Sequence, residues 1–361
     1  MARRDLSVLA VVGAQYGSEG KGVVVASIAW KYGVHVRVGG PNAGHTFNHR
    51  GVVYKLQTVP CGWVNPSAKI VIGRGGIISP ELLIKEIKEI RKVEPNIVDR
   101  LYIDHNAAIL DDRHHNAEGG VNGELHSRIG STGEGVGAVR LARIHRDPKQ
   151  YGTIAGYLEE YGSKIDLPLR DRLFDTVELL NRWVDEKEQI LLEGTQGSGL
   201  SLLHGPWPYV TSADTNAGQL AVDCGLAPTV VNRTLLVART FPIRVAGNSG
   251  PLKNELTWGH ISNRIGEEVE ERTTVTRKVR RVGAWDEQVF QRAVMLNRPT
   301  SIAITFLDYL NPEDKGKSVF TDLSTESKKF ISYVESMANC PVALVGTGGH
   351  GWNVASRNIR L

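Results

Sequence analysis

The chain has 361 residues, 41% hydrophobic and 23% charged, which excludes a disordered or fibrous chain and suits one large or two modest globular domains. A formal charge of only +4 argues against nucleic acid held by a global basic field, while suiting small anionic substrates. Three irregularly spaced cysteines, Cys61, Cys224 and Cys340, fit a reducing compartment and exclude a disulfide framework or zinc cluster.

Arg3 and Arg4 before the apolar run 6–12 resemble the start of a signal peptide, but the run is short, contains Ser7 and ends in a glycine loop. No stretch approaches the roughly 18 apolar residues of a membrane helix. A cytoplasmic protein without a membrane partner is expected. In chain order, 6–13 reads as a strand buried on both faces, 21–31 as a helix packed on it, and 34–38 and 68–72 as further strands, the latter ending in GRGG (73–76). A helix follows, with Ser79 as N-cap and Pro80 at its first position. It sets Leu82, Leu83, Ile87 and Ile90 on one face against Lys85, Glu86, Lys88 and Glu89. Strands are predicted at 100–104, 189–193, 234–238, 301–305 and 342–345, and helices at 171–186, 285–297 and 325–338. This alternation predicts an α/β fold: a mainly parallel central sheet with helices on both faces, in a single domain over 1–361. Segments 39–50, 118–137 and 247–282 read as irregular active-site loops.

The stretch VVGAQYGSEGKG (11–22) leaves the first strand. Backbone N–H groups of Gly17, Ser18, Glu19 and Gly20 at a helix start form a candidate anion nest, with Lys21 as a point charge against phosphate. It is not a Walker A loop: Gln15 stands five before Gly20, and Gly22 follows Lys21 where a hydroxyl is required. Nor does it fit G-x-G-x-x-G, so a plain strand-to-helix turn is the alternative. A second glycine-rich turn, GGPNAGHT (39–46), follows. His105, His114, His115 and His126 are irregularly spaced, and loop or surface roles are expected for them.

Taken with GSTGEGVG (130–137), EGTQG (193–197), HGPWPYVTS (204–212), TTVTRKVRRVGAWD (273–286) and ITFLD (304–308), the two loops resemble the adenylosuccinate synthetase family in order and spacing over most of the chain. The resemblance implies a homodimeric C–N ligase. It would use a nucleoside triphosphate and Mg²⁺ to phosphorylate O6 of a purine monophosphate, which the amine of L-aspartate then displaces. A purine oxygen leaves poorly until phosphorylated, so Mg²⁺, Lys and backbone donors would stabilise the developing charge. His45 would act as the acid at O6. Gly17, Glu19, Gly20, Lys21 and Gly22, with Gly44, His45 and Thr46, would hold the donor's phosphates. Asn42, Thr132 and Thr211 would hold the purine nucleotide's 5′-phosphate, with Gln196 facing its base. Arg146, or Arg143, would reach into a neighbouring subunit. Gly44 and residue 18 would ligate Mg²⁺. Thr274, Thr276, Lys278 and Arg280 would clamp aspartate, and Asp308, Thr347 and Gly348 would meet the donor's base. The basic run RKVRR also fits a nuclear or nucleic-acid patch, but the flanking Thr residues and GAWD favour carboxylate binding.

Three departures bear on the substrate. The family's loop reads G-D-E-G-K-G and its Asp deprotonates purine N1 and ligates Mg²⁺; here that position is Ser18. A hydroxyl is no base near neutral pH, but it leaves room for a 2-amino group and accepts its hydrogen bond. This predicts dGMP or GMP as substrate, like the phage branch of the family, 2-aminoadenylosuccinate synthetase, which would work in the host cytoplasm. The family's T-K-L-D is here T-F-L-D, with Phe306 for Lys, which favours ATP or dATP over GTP. Arg277 and Lys278 stand where Gly-Arg is usual, so one bidentate carboxylate contact is either lost or supplied by Arg280. An ordinary synthetase on IMP, and a catalytically silent nucleotide-binding protein, are the competing readings.

Overall fold

The computed structural model describes residues 8–146, 152–273, 278–348 and 353–357. Its centre is an eleven-stranded sheet. In chain order its main strands are β1 (Val8–Gly13), β2 (Val34–Gly39), β3 (Lys69–Ile78), β4 (Leu101–Asp104), β5 (Leu173–Phe174), β6 (Ile190–Glu193), β7 (Arg233–Arg239), β8 (Ser301–Thr305), β9 (Val342–Gly346) and β10 (Val354–Ser356). Across the sheet they run β10-β9-β8-β7-β1-β6-β2-β3-β4-β5, with the short strand Ala108–Ile109 pairing on β3. Every pairing is parallel except β9–β10 at one edge. The α/β expectation is met, and a parallel sheet covered on both faces explains the near-continuous apolar strands.

β1 feeds both layers: Leu9 and Val11 enter one core with Val24, Trp63, Leu83 and Ile87, while Val8, Ala10 and Val12 enter the other with Leu180, Phe290 and Ile331. β1 lies between β6 and β7, so the chain order reverses around it. The crevice beyond the carboxyl ends of such strands is where open α/β sheets bind ligands.

Several predicted elements are redrawn. β3 runs through the GRGG segment to Ile78 instead of ending before it. The predicted 171–186 helix begins only at Thr176, where Asp175 caps it with its side chain. The irregular segments 118–137 and 247–282 contain the helices Glu124–Ile129 and Trp258–Ile265, and the second supplies the strand Glu255–Leu256 and most of Arg281–Gly283, which join Ile243–Arg244 in a small three-stranded sheet. Helix Pro80–Arg91 is as predicted at its start, but Glu86 leaves the polar face and is buried, while Leu82 is only half-buried. The Glu86 carboxylate accepts the backbone N–H groups of Gln57, Thr58 and Val59, at 2.6, 3.1 and 2.8 Å. That turn carries Gln57 to the cleft described below. Glu86→Ala strands these buried donors and is expected to cost on the order of 3 kcal/mol, read as a lower denaturant midpoint.

Candidate active site

The first loop is shaped from within. Gly17, Ser18 and Gly20 have φ of 82°, 57° and 83°, so the chain reverses sharply before helix α1 (Lys21–Ile28). Glu19, read from sequence as part of the donor's cradle, is fully buried instead. Its Oε1 accepts the N–H groups of Gln15 and Gly17, and its Oε2 takes the Lys21 ammonium at 2.6 Å. The Gly17 N–H is therefore turned into the loop, and the nest is smaller than the spacing suggested. Lys21 also donates to the Gln196 carbonyl at 2.5 Å, so its charge is balanced by Glu19 while it lines the cleft. Gly22 serves packing: a Cβ there would lie 2.9 Å from that of His45.

His45, on the hairpin strand His45–His49, is buried and held by the end of β6. Its Nδ1 lies 2.6 Å from Glu193 Oε1, which also accepts from Arg37 at 2.9 Å, while Glu193 Oε2 accepts the Cys61 N–H. A ring nitrogen this close to a carboxylate must carry the proton, which leaves Nε2 for chemistry. Burial, with Arg37 beside it, pushes the His45 pKa down to about 4. Burial opposes ionisation of Glu193, but the His45 hydrogen bond and Arg37 prevail and hold it at about 2. The resting pair is thus neutral imidazole and carboxylate.

These loops open on a cleft of about 590 Å³. It brings together Gly17, Ser18, Lys21, Asn42, Gly44, His45, Thr132, Gln196, Thr211, Lys278 and Arg280, drawn from both halves of the chain. His126, expected in a loop or surface role, enters this cleft from helix Glu124–Ile129, 3.1 Å from the Lys278 ammonium. Thr274 and Thr276 lie outside the described residues. Thr46 points away from the cleft into solvent, and Gly20 and Gly22 do not line it. Arg146 is exposed at the end of helix Val136–His145, at φ 58°.

Ser18 is exposed, and its hydroxyl accepts from Arg280 Nη1 at 2.6 Å. A divalent cation bound to that oxygen would sit against a guanidinium, so Ser18 does not fit as an Mg²⁺ ligand, contrary to the sequence expectation. The Gly44 carbonyl does fit. A single neutral oxygen suits an ion held mainly by nucleotide phosphates.

Asp308 lies off the main cleft. It is buried, its Oδ1 has no partner among the described residues, and burial raises its pKa to about 6. Beside it in the chain, Phe306 stands at φ 59° with the Arg239 guanidinium 3.9 Å from its ring centroid. Thr347, expected to meet the donor's base, is instead fully buried: its N–H donates to the Asn353 carbonyl and its hydroxyl to that of Lys317, leaving no group for a base. Gly348 stands next to it, partly exposed.

Sequence reading overlooked Arg37, Glu193, Arg239 and Glu271. For the first the signal was a charge inside the apolar run VHVRV; Glu193 opens EGTQG, but its partner is 148 residues away.

Comparison with known proteins supplies the family. The adenylosuccinate synthetase family model matches residues 10–166 and 150–321. The adenylosuccinate synthetase of Methanocaldococcus jannaschii is 36% identical over 346 residues, covering 95% of this chain and 94% of that protein. That of Methanococcus maripaludis strain C5 is 38% identical over 341 residues, 94% and 95% of the two chains. Among solved structures, fully ligated adenylosuccinate synthetase from Plasmodium falciparum shares the fold at a TM-score of 0.82 and 23% identity, covering 98% of this chain and 100% of that one. The succinoaminodeoxyadenylate synthetase (PurZ) of cyanophage S-2L, bound to dGMP and to dATP as an energy donor, aligns at a TM-score of 0.79 and 27% identity, covering 97% and 95%. The chain therefore belongs to the adenylosuccinate synthetase family, C–N ligases that use Mg²⁺, a nucleoside triphosphate, aspartate and a purine nucleotide.

Proposed function

We propose that this ligase joins L-aspartate to C6 of dGMP or GMP through a 6-phosphoryl intermediate, giving 2-amino-(deoxy)adenylosuccinate on a route to diaminopurine deoxynucleotides. The observation that carries it is Ser18, standing at the cleft where the family keeps an aspartate. One lone pair of its hydroxyl takes the Arg280 hydrogen bond, and the other is left for a 2-amino N–H. Glu19, the neighbouring carboxylate, is turned inward, so nothing negative from this part of the loop crowds a 2-amino group. The dGMP-bound cyanophage neighbour supports the same substrate, and its dATP supports ATP or dATP as donor.

In this reading Asn42, Thr132 and Thr211 hold the 5′-phosphate and Gln196 faces the base. His45 Nε2 meets O6; with its resting proton on Nδ1, the imidazole takes up at Nε2 the proton that aspartate's attacking amine releases and donates it to the departing oxygen, while Glu193 holds the tautomer and stabilises the imidazolium so formed. Lys278 and Arg280, with Thr274 and Thr276, take aspartate's carboxylates. Lys21 and Gly44, which line the cleft, meet the donor's phosphates, and Asp308 and Gly348 meet its base. The Gly44 carbonyl would help hold Mg²⁺, which when bound would neutralise charge during phosphoryl transfer. The protein works as a homodimer, with Arg146 or Arg143 reaching across. Leu141 and Ile144, 54% and 71% exposed on the preceding helix, supply an apolar face that a second copy would cover.

The second reading, an ordinary synthetase on IMP, is favoured by the name the 36–38% identical relatives carry. Phosphate release is measured with aspartate, Mg²⁺ and either dGMP or IMP, crossed with ATP, dATP or GTP. Turnover with dGMP is expected. Turnover with IMP alone would overturn the proposal, and none in any combination would leave a silent nucleotide-binding protein.

A further inference from the structure

Two arginines from distant parts of the chain converge on Ser18. Arg239, the last residue of β7, donates from Nη1 to the Ser18 carbonyl at 3.1 Å, and Arg280 donates from Nη1 to the Ser18 hydroxyl at 2.6 Å. Like charges this close repel unless something negative lies between them. Glu271 supplies it: Arg239 binds its carboxylate with both terminal nitrogens, at 2.5 and 3.2 Å, and Arg280 Nη1 lies 3.7 Å from Oε2. Arg239 is fully buried, and its backbone is tied to the first loop by two hydrogen bonds with the Gln15 amide, each 3.0 Å. The same guanidinium stacks on Phe306, two residues before Asp308, whose Oδ1 has no partner among the described residues. One guanidinium therefore touches both the ring of the donor corner and the residue that faces the purine.

We propose that Glu271 is a positioning residue that couples the donor-nucleotide corner to Ser18 through Arg239 and Arg280, an inference that rests on the reading above in which Asp308 meets the donor's base, two residues from Phe306, and Ser18 meets the purine. A base stacked in the donor corner fixes the Phe306 ring, the ring fixes Arg239, and the carboxylate shared with Arg280 fixes the direction of the Ser18 hydroxyl. Donor binding would then pre-orient the group that reads the purine and tighten nucleotide binding. By linkage the purine nucleotide would tighten the donor by the same factor.

The test uses the full chain with Mg²⁺ and without aspartate. Affinity for dGMP, and in parallel for IMP, is measured by titration calorimetry with and without a saturating non-hydrolysable ATP analogue. In the unmodified protein the analogue should tighten the purine nucleotide about tenfold, within the usual range of such couplings. In Glu271→Gln each ligand alone should bind within about threefold of the original, with the enhancement falling below about twofold, and Glu271→Asp should restore part of it. A merely structural role would change affinities or melting temperature together and would not remove the enhancement selectively. If Glu271→Gln does not fold, Glu271→Asp, which keeps the charge but shortens its reach to both arginines, is read in its place, with the enhancement expected to fall part of the way towards twofold while each ligand alone binds as before; an undiminished enhancement there overturns the coupling. Enhancement retained in the variant, or absent from the original protein, would overturn the coupling. Should IMP bind and dGMP not, the substrate reading fails, while the enhancement measured on IMP still decides the role of Glu271.

Discussion

His45→Asn lowers kcat by about 10²- to 10⁴-fold, the usual contribution of a positioned acid or base. The amide can still donate to Glu193 from near the Nδ1 position, so the fold and the Glu193–Arg37 pair survive, but nothing replaces Nε2 at the reacting oxygen. Steady-state kinetics and a thermal melt check this together; a loss of less than threefold would remove His45 from the chemistry. The pH behaviour follows from the same burial. Because the folded His45 pKa is about 4, against about 6.5 for a free imidazole, the unfolded chain takes up a proton in that interval and the folded one does not. Stability is therefore complete above about pH 6.5 and falls as pH drops towards 4. His35, fully buried and also lowered to about 4 by burial, adds in the same direction. Glu193, held at about 2, contributes stability that is present above its unfolded value and lost as pH falls towards 2. Denaturant melts between pH 4 and 7 should show an acid slope that is shallower in His45→Asn by up to one proton.

Ser18→Asp shifts turnover from dGMP towards IMP, by about 10- to 100-fold in the ratio of kcat/KM, as expected for one group that crowds one substrate and acts as base for the other. The position tolerates the change: its φ of 57° is one that Asp adopts more readily than most residues, and Arg280, 2.6 Å from the present hydroxyl, would pair with the carboxylate. The dGMP rate falls because the carboxylate meets the 2-amino edge where the hydroxyl left space, while the IMP rate gains a base beside N1. Competition assays with both nucleotides in one vessel read the ratio directly. An unchanged ratio would mean that residue 18 does not select the 2-amino group.

How much was legible beforehand depended on how local each feature is. The strands were predicted well because a parallel sheet buried on both faces writes itself as short apolar runs, and β8 and the helix Thr325–Ala338 fall where they were predicted. Helix Thr176–Asp185 was drawn too long at its start, because polar residues around Asp171 carry helical propensity while Asp175 sets the cap. Glu86 was misplaced because periodicity sorts residues by polarity and does not register that three backbone donors arrive from a turn 27–29 residues away. The candidate site was legible as far as its motifs: eleven of the named residues do meet in one cleft.

The sequence by itself determined the fold class, the glycine loops that let backbone approach a ligand, and the Ser18 substitution on which the proposed purine preference rests. These are properties of residue type at short spacing, where sterics and hydrogen-bonding capacity act locally. Only the tertiary structure decided which charges are free to act. It turned Glu19 into the loop, balanced Lys21, set Glu193 behind His45, and brought Arg239, Glu271 and Arg280 around Ser18. The reason is physical: a buried charge must be paired, and its partner is found across the sheet and not along the chain.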